Sequence, residues 1–206
     1  VKRLFFSLTI LCTLGLLSIS AAKPNILFIM VDDLGKDWIS CYGADEINTP
    51  NIDRLAQGGL KFHNAWSMPQ CTPTRATLLT GQYPWRTGWV NHWDVPRWGV
   101  GYFDWANYTT FANVMKSAGY STAIAGKWQI AMLKNDRRHP FRLGFDEFCL
   151  FGWHEGPRYH QPHIWHNGTL RDDVRDHYGP DVYCDFLVDF FERNRKRPFF
   201  AFHSMA

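Results

Sequence analysis

The sequence predicts an α/β fold, a three-layer α/β/α sandwich with a mostly parallel central sheet, and three observations carry that expectation. Residues 26–31, Ile-Leu-Phe-Ile-Met-Val, form an unbroken apolar run whose length suits a strand covered on both faces. Phe111, Val114, Met115 and Ala118 recur at helical spacing, Gly119 ends the stripe, and residues 120–125 follow as a second strand closing on Gly126-Lys127. A longer helical stretch over residues 181–196 leads through Pro198 into the apolar residues 199–202, a third strand. Strands that alternate with helices pack as a parallel sheet between two helical layers, and ligand sites gather beyond the carboxyl ends of those strands. Asp32, Asp33 and Lys127 stand at such ends.

At the N-terminus, Val1-Lys2-Arg3 precedes an apolar run over residues 4–19 and the small residues Ser20-Ala21-Ala22, the charged, apolar and cleavable parts of a secretory signal. Residues 1–22 are therefore expected to be a signal peptide and the protein to be secreted or periplasmic. The run is short for a bilayer-spanning helix, so no stable membrane anchor is expected. Cys12 follows Thr9-Ile10-Leu11 rather than small residues, which argues against lipid modification. Further on, Thr49 can cap and Pro50 can start a short helix that Gly58-Gly59 stops. Asn167-Gly168 between short apolar flanks is the strongest local hairpin signal. His160, His163 and His166 recur every third residue, but Pro162 and the Asn-Gly turn break any helix there, so a solvated hairpin arm is expected rather than a metal site. The last strand coincides with the final residues of the sequence. The sheet is therefore expected to be unfinished, with that strand's edge exposed, and the fold truncated before completion.

The chain has 206 residues, 46% hydrophobic and 20% charged, enough for a substantial core. Its formal charge of +3 falls by two without Lys2 and Arg3, too near neutrality to point to nucleic acid. Beyond the leader, Cys41, Cys71, Cys149 and Cys184 are too few and too dispersed for a disulfide-stapled scaffold. At least one of them needs another explanation.

Cys71-Thr72-Pro73-Thr74-Arg75 opens a stretch that Gly81 can terminate, with Thr72 as the expected cap and Pro73 at the first helical position. Cys71 then lies at a helix N-terminus, where unpaired N–H groups favour an anion, and Arg75 can turn back to the same spot. A cysteine so placed is expected to be activated. Between residues 85 and 105, Trp85, Trp89, Trp93, Trp98 and Trp105 interleave with Asn91, His92, Asp94 and Arg97. Local core is the first expectation for such a loop and a sugar-stacking platform the second, with His92 a candidate substrate contact.

The Cys71 stretch resembles the sulfatase signature, Cys-x-Pro-Ser/Thr-Arg followed by an apolar pair and Thr-Gly, with every position filled. The similarity extends through Asn64-Ala65-Trp66-Ser67 and Gly81-Gln82-Tyr83-Pro84, through residues 24–35, and through residues 119–128, which resemble the second signature. The resemblance implies the alkaline phosphatase/sulfatase-like sandwich, with residues 23–206 the N-terminal part of the catalytic domain. It implies that a maturation enzyme oxidises Cys71 to formylglycine, one hydroxyl of whose hydrate attacks sulfur while the other later expels sulfate. It also implies that Asp32, Asp33 and residue 71 hold Ca2+ or Mg2+, that Arg75 orients the formylglycine, and that Lys127 contacts the sulfate. Sulfate-ester substrates follow, on sulfated carbohydrate (a polysaccharide among them) or an aryl group. One departure stands out: many sulfatases have His two residues after the Lys, whereas this chain has Gln129, expected to donate to the formylglycine hydroxyl but unable to accept a proton near neutral pH. The remaining metal and sulfate ligands of the family are expected beyond Ala206, so this chain is expected to be an incomplete, inactive fragment. A phosphonate or phosphodiester hydrolase of the same superfamily and a non-catalytic binding relic are the alternatives.

Overall fold

The computed structural model describes residues 22–92, 101–152 and 154–206. Residues 1–21 of the expected leader, and Trp93, Asp94, Arg97 and Trp98, lie outside them. The described strands are β1 (Ile26–Met30), β2 (Ser121–Trp128), β3 (Glu147–Gly152), β4 (Trp165–His166), β5 (Thr169–Leu170) and β6 (Phe199–Ser204). They form one sheet in the order β1-β6-β2-β3-β4-β5. β1, β6, β2 and β3 run parallel, and β4 and β5 add an antiparallel edge. The helices are α1 (Pro50–Gly58), α2 (Cys71–Thr80), α3 (Pro84–Thr87), α4 (Phe111–Ser117), α5 (His139–Arg142) and α6 (Gly179–Asn194).

Strand alternation divides the apolar residues between two cores. Ile124, Trp128, Phe200 and Phe202 face Ala76 and Leu79 of α2 and Ala112 of α4. Ala123, Ala125, Phe199 and Ala201 face Val182, Tyr183, Phe186, Leu187 and Phe190 of α6. The three layers follow directly, the α6 stripe recurring every three or four residues to cover one face of the sheet. Residues 111–117 become helical because Thr110 and Asn113 cap each other, the Thr110 hydroxyl receiving the Asn113 N–H and the Asn113 carboxamide receiving the Thr110 N–H. At the hairpin, Asn167 (φ 50°) and Gly168 (φ 88°) both take left-handed backbone, as a tight two-residue turn demands.

Four expectations need correction. The last strand, β6, is not an edge: β1 and β2 flank it on both sides. The edge is β1, whose Leu27 and Ile29 are 47% and 49% exposed, so the first apolar run is not covered on both faces by the described residues. β2 continues through Lys127 to Trp128, because Gly126 adopts φ 105° where its Cα pairs with Ser204 and lets the ladder pass without a side chain. The histidine arm is only partly solvated, since His163 packs edge-on to Trp165 and His166, on β4, edge-on to Phe186.

The tryptophan-rich stretch divides between its two expectations. Trp89 is core, 8% exposed, whereas Trp85 is 73% exposed and stacks on Tyr83 with centroids 4.4 Å apart. Trp105 lies under the guanidinium of Arg142.

Candidate active site

A cavity of about 690 Å³ opens at the carboxyl end of the parallel strands. Its wall is made by the turn after β1 carrying Asp32 and Asp33, the segment 67–71 entering α2, and Arg75, His92, Lys127 and Gln129. These groups come from distant stretches because β6 inserts between β1 and β2 and aligns their ends.

Helix α2 begins at Cys71 with Gln70 as its cap, so Cys71 itself holds the first position and Pro73 the third, and the helix starts earlier than the sequence suggests, where Thr72 was the expected cap. The Thr72 hydroxyl, the expected cap, instead meets Nδ1 of His92 at 3.0 Å. Cys71 Sγ lies 3.6 Å from Asp32 Oδ2 and 3.5 Å from Lys127 Nζ. Arg75 is 4% exposed; its guanidinium donates to the Lys127 carbonyl at 3.3 Å and to Ser204 Oγ, and lies 3.4 Å from Asp32 Oδ1. Lys127, 1% exposed, forms a close ion pair with Asp32. Asp33 is exposed and takes left-handed backbone at φ 53°.

Electrostatics follow from this packing. Burial pushes the Asp32 carboxyl upward, but hydrogen bonding and attraction from Lys127, the field of Arg75 and the Cys71 thiol outweigh it and hold the group below the ordinary carboxylate value. At Cys71, burial raises the thiol; Lys127 opposes it, while the charge and hydrogen bond of Asp32 raise it further. Burial first, and then the Asp32 carboxylate, outweigh Lys127 and favour the thiol over the thiolate, against the activation expected from the helix start.

Gln129, 1% exposed, places its carboxamide 3.2 Å from His92 Nδ1. Two site residues escaped the sequence reading. Ser204 accepts from Arg75 and donates to the Lys127 carbonyl at 2.9 Å, and its only signal was a small polar residue ending a buried apolar strand. Thr72 was read as a cap and is a partner of His92. Among the described residues the four cysteines beyond the leader are unbridged.

Asp32, Asp33 and Cys71 each offer a ligand atom, and these atoms lie within 4.8 Å of one another. Two carboxylates offer oxygen ligands of the kind a hard divalent ion takes. A thiol does not suit Ca2+ or Mg2+, whereas an oxygen at position 71 does.

A three-layer sandwich with a carboxylate-bearing, cation-walled cavity at its strand ends places the chain in the sulfatase/alkaline phosphatase-like class of α/β proteins. The sulfatase family model matches residues 24–206, and the chain belongs to the sulfatase family. Human steryl-sulfatase is 44% identical over 141 residues, covering 63% of this chain and 24% of that protein. An N-acetylglucosamine-6-O-sulfatase of Bacteroides thetaiotaomicron is 32% identical over 188 residues, covering 89% and 30%. A solved structure of a protein in complex with its substrate, D-glucosamine-2-N,6-O-disulfate, superimposes with a TM-score of 0.71 at 30% identity, covering 88% of this chain and 34% of that one. The chain thus spans a quarter to a third of the length of these relatives. Among the described residues no helix is long and apolar enough to cross a membrane.

Proposed function

We propose that this chain carries the nucleophile-bearing part of a site that hydrolyses sulfate esters, acting on sulfated carbohydrate after export through the N-terminal signal. The observation that carries the reading is the position of Cys71, at the first residue of α2 with Lys127 Nζ at 3.5 Å and Asp32 Oδ2 at 3.6 Å in one cavity. Carbohydrate is the preferred substrate class because two of the matched proteins bear sulfated amino sugars in their descriptions.

Conversion of Cys71 to formylglycine by a maturation enzyme would place a hydroxyl where the thiol sits, and that reading is supported by the raised thiol, which is a poor nucleophile as it stands. Asp32, Asp33 and an oxygen on residue 71 would hold Ca2+ or Mg2+, which when bound offsets negative charge on a sulfo oxygen. Lys127 and Arg75 are fixed cations. Lys127 contacts both Asp32 and position 71 and faces the sulfo group, where developing charge in a water-poor site is stabilised without reorganisation. Arg75 is held by Ser204 and the Lys127 carbonyl and so keeps the acidic turn against α2.

The test is to produce the protein with and without a formylglycine-generating enzyme, measuring the mass of the Cys71 peptide and sulfate release from glucosamine 6-sulfate and an aryl sulfate. Aldehyde at residue 71 of this chain, and sulfate release by a form extended to the length of its relatives that Cys71→Ala and chelator each abolish, are the expected results. Turnover that persists in Cys71→Ala would overturn it.

A further inference from the structure

A second cavity, about 600 Å³ in volume, opens at the amino end of the parallel strands, opposite the one that holds Cys71. The entries to three adjacent strands meet there: Lys23 leads into β1, Arg195, Lys196 and Arg197 into β6, and Gly119 into β2. All four cations are exposed, and among the described residues no acidic side chain lines the wall.

Helix ends account for part of this charge. α4 and α6 both finish here, where unpaired carbonyls favour cations, and Lys23 Nζ donates to the Ala118 carbonyl just past α4. Two helix ends of about half a negative charge each offset about one of the four cations. Side chains do not offset the rest. Arg195 has Glu192 at 3.9 Å, but their side chains are 71% and 72% exposed, and a pair so open to water contributes little. The acids at the neighbouring entry to β3 are already paired, Asp146 with Lys116 at 2.6 Å and Glu147 with Arg193 at 2.7 Å. Lys196 has no partner among the described residues. Residues 1–21, which adjoin the wall in sequence, contain no Asp or Glu.

One of the cations is held in place from below. Asn194, the last residue of α6, is 0% exposed; its carboxamide nitrogen donates to the Phe190 carbonyl at 2.8 Å, and its oxygen accepts the Arg197 Nε–H at 2.7 Å. Both ends of the amide are thus engaged, and the outer guanidinium nitrogens of Arg197 keep their donors for a ligand. A guanidinium fixed in this way suits the paired oxygens of a sulfo or phospho group. Neighbouring like charges repel, so the wall gains most from an anion that carries several charges and spans it. No aromatic side chain lines the wall among the described residues, so nothing there stacks a nucleic-acid base.

We propose that this amino-end wall is an anchoring site for a multiply sulfated saccharide, separate from the cavity at Cys71. The choice of a sulfated saccharide among polyanions rests on the sulfate-ester reading; the cationic wall does not. A polymer held at this end of the sheet stays with the protein while the Cys71 cavity remains open, so anchoring and ester cleavage are independent events.

Titration calorimetry with a heparin oligosaccharide at physiological salt tests the site. Lys196→Ala and Arg197→Ala should each weaken binding about fivefold, the contribution of one cation beside an anionic surface, and the double variant should weaken it further. Arg175→Ala removes the same charge from an exposed pair with Asp172 elsewhere and should leave binding unchanged. The same oligosaccharide stripped of its sulfates should bind far more weakly. Equal weakening by Arg175→Ala and Arg197→Ala would reduce the attraction to net charge and overturn the site, as would absence of binding. A DNA duplex that binds through the same residues as tightly as heparin overturns the saccharide assignment. Heparin binding that depends on Arg197, in a protein whose extended form releases no sulfate from any ester, upholds the wall and removes the sulfate-ester reading.

Discussion

Lys127 and Asp32 form a buried ion pair between two strands that are not neighbours. Asp32 follows β1 and Lys127 lies in β2, with β6 running between them. The pair spans the end of β6, and the Arg75 guanidinium joins it from α2 through Asp32, Ser204 and the Lys127 carbonyl. It thus links three strands and a helix.

Removing one partner of this pair should cost more than removing both. The Lys127 side chain is fully buried and that of Asp32 is 14% exposed, so Lys127→Met leaves a carboxylate in a poorly solvated place. Urea denaturation at pH 7 with chelator present should show a loss of about 3–5 kcal/mol. The double variant Lys127→Met, Asp32→Asn should recover part of it, and equal losses in the two proteins would show that the pair is not coupled.

The unconverted Cys71 should react slowly with iodoacetamide at neutral pH, because burial and the Asp32 carboxylate both disfavour the thiolate. Asp32→Asn should speed alkylation and Lys127→Met should slow it, since Lys127 is the group that opposes the rise. Peptide masses over a time course give the rates. Faster alkylation in Lys127→Met would show that the charges act in the opposite sense.

Gly126→Ala and Gly43→Ala should differ although both glycines have φ near +100°. At Gly43 nothing among the described residues lies within 4 Å of an added Cβ, so the cost is backbone strain of about 1 kcal/mol. At Gly126 the methyl would run into the Ser204 carbonyl, and the loss should reach about 3 kcal/mol or more. Thermal unfolding of the two variants decides the matter, and equal melting temperatures would refute it.

Stability should decline as pH falls below about 6.5, the ordinary value for histidine. His139 is fully buried; Trp128 Nε1 donates to its Nδ1 at 3.2 Å, so Nε2 carries the proton and donates to the Phe103 carbonyl at 2.6 Å. Burial pulls its pKa down, and the Phe103 carbonyl and Asp136 only partly oppose this. Burial likewise lowers His203 and His166. The unfolded chain then binds more protons than the folded one below the ordinary value, so stability present above pH 6.5 is lost as the solution is acidified toward the lowered values. Urea midpoints between pH 7.5 and 5 should fall, and His139→Gln should flatten the slope. An unchanged slope would remove His139 from the account.

The sequence made the sandwich legible because periodicity and punctuation are local: the stripe of α6, the capped start of α4 and the Asn167-Gly168 turn each announce themselves within a few residues. Strand order is not local. Nothing in residues 199–204 distinguishes an edge from a centre, which is why the place of β6 between β1 and β2 was not legible. The site divided in the same way. Asp32, Cys71, Arg75 and Lys127 stood out by motif and were brought together, whereas Ser204 and Thr72 depend on contacts with residues far along the chain. The helix terminus beside Cys71 is visible in sequence, whereas the burial and the Asp32 carboxylate that raise its thiol are not.

The insertion of β6 between β1 and β2 also sets a timetable. Arg75 precedes Ser204 by 129 residues, which at about 5–20 residues per second of synthesis is on the order of ten seconds. Asp32 precedes that interval and Lys127 is made within it, but the strand that aligns them does not yet exist, and the Cys71 segment has no assembled cavity. Under the formylglycine reading, a modifying enzyme that needs this segment extended meets it in that interval, before the sheet closes over it. The chain order that makes the finished site a long-range assembly therefore keeps Cys71 reachable until late.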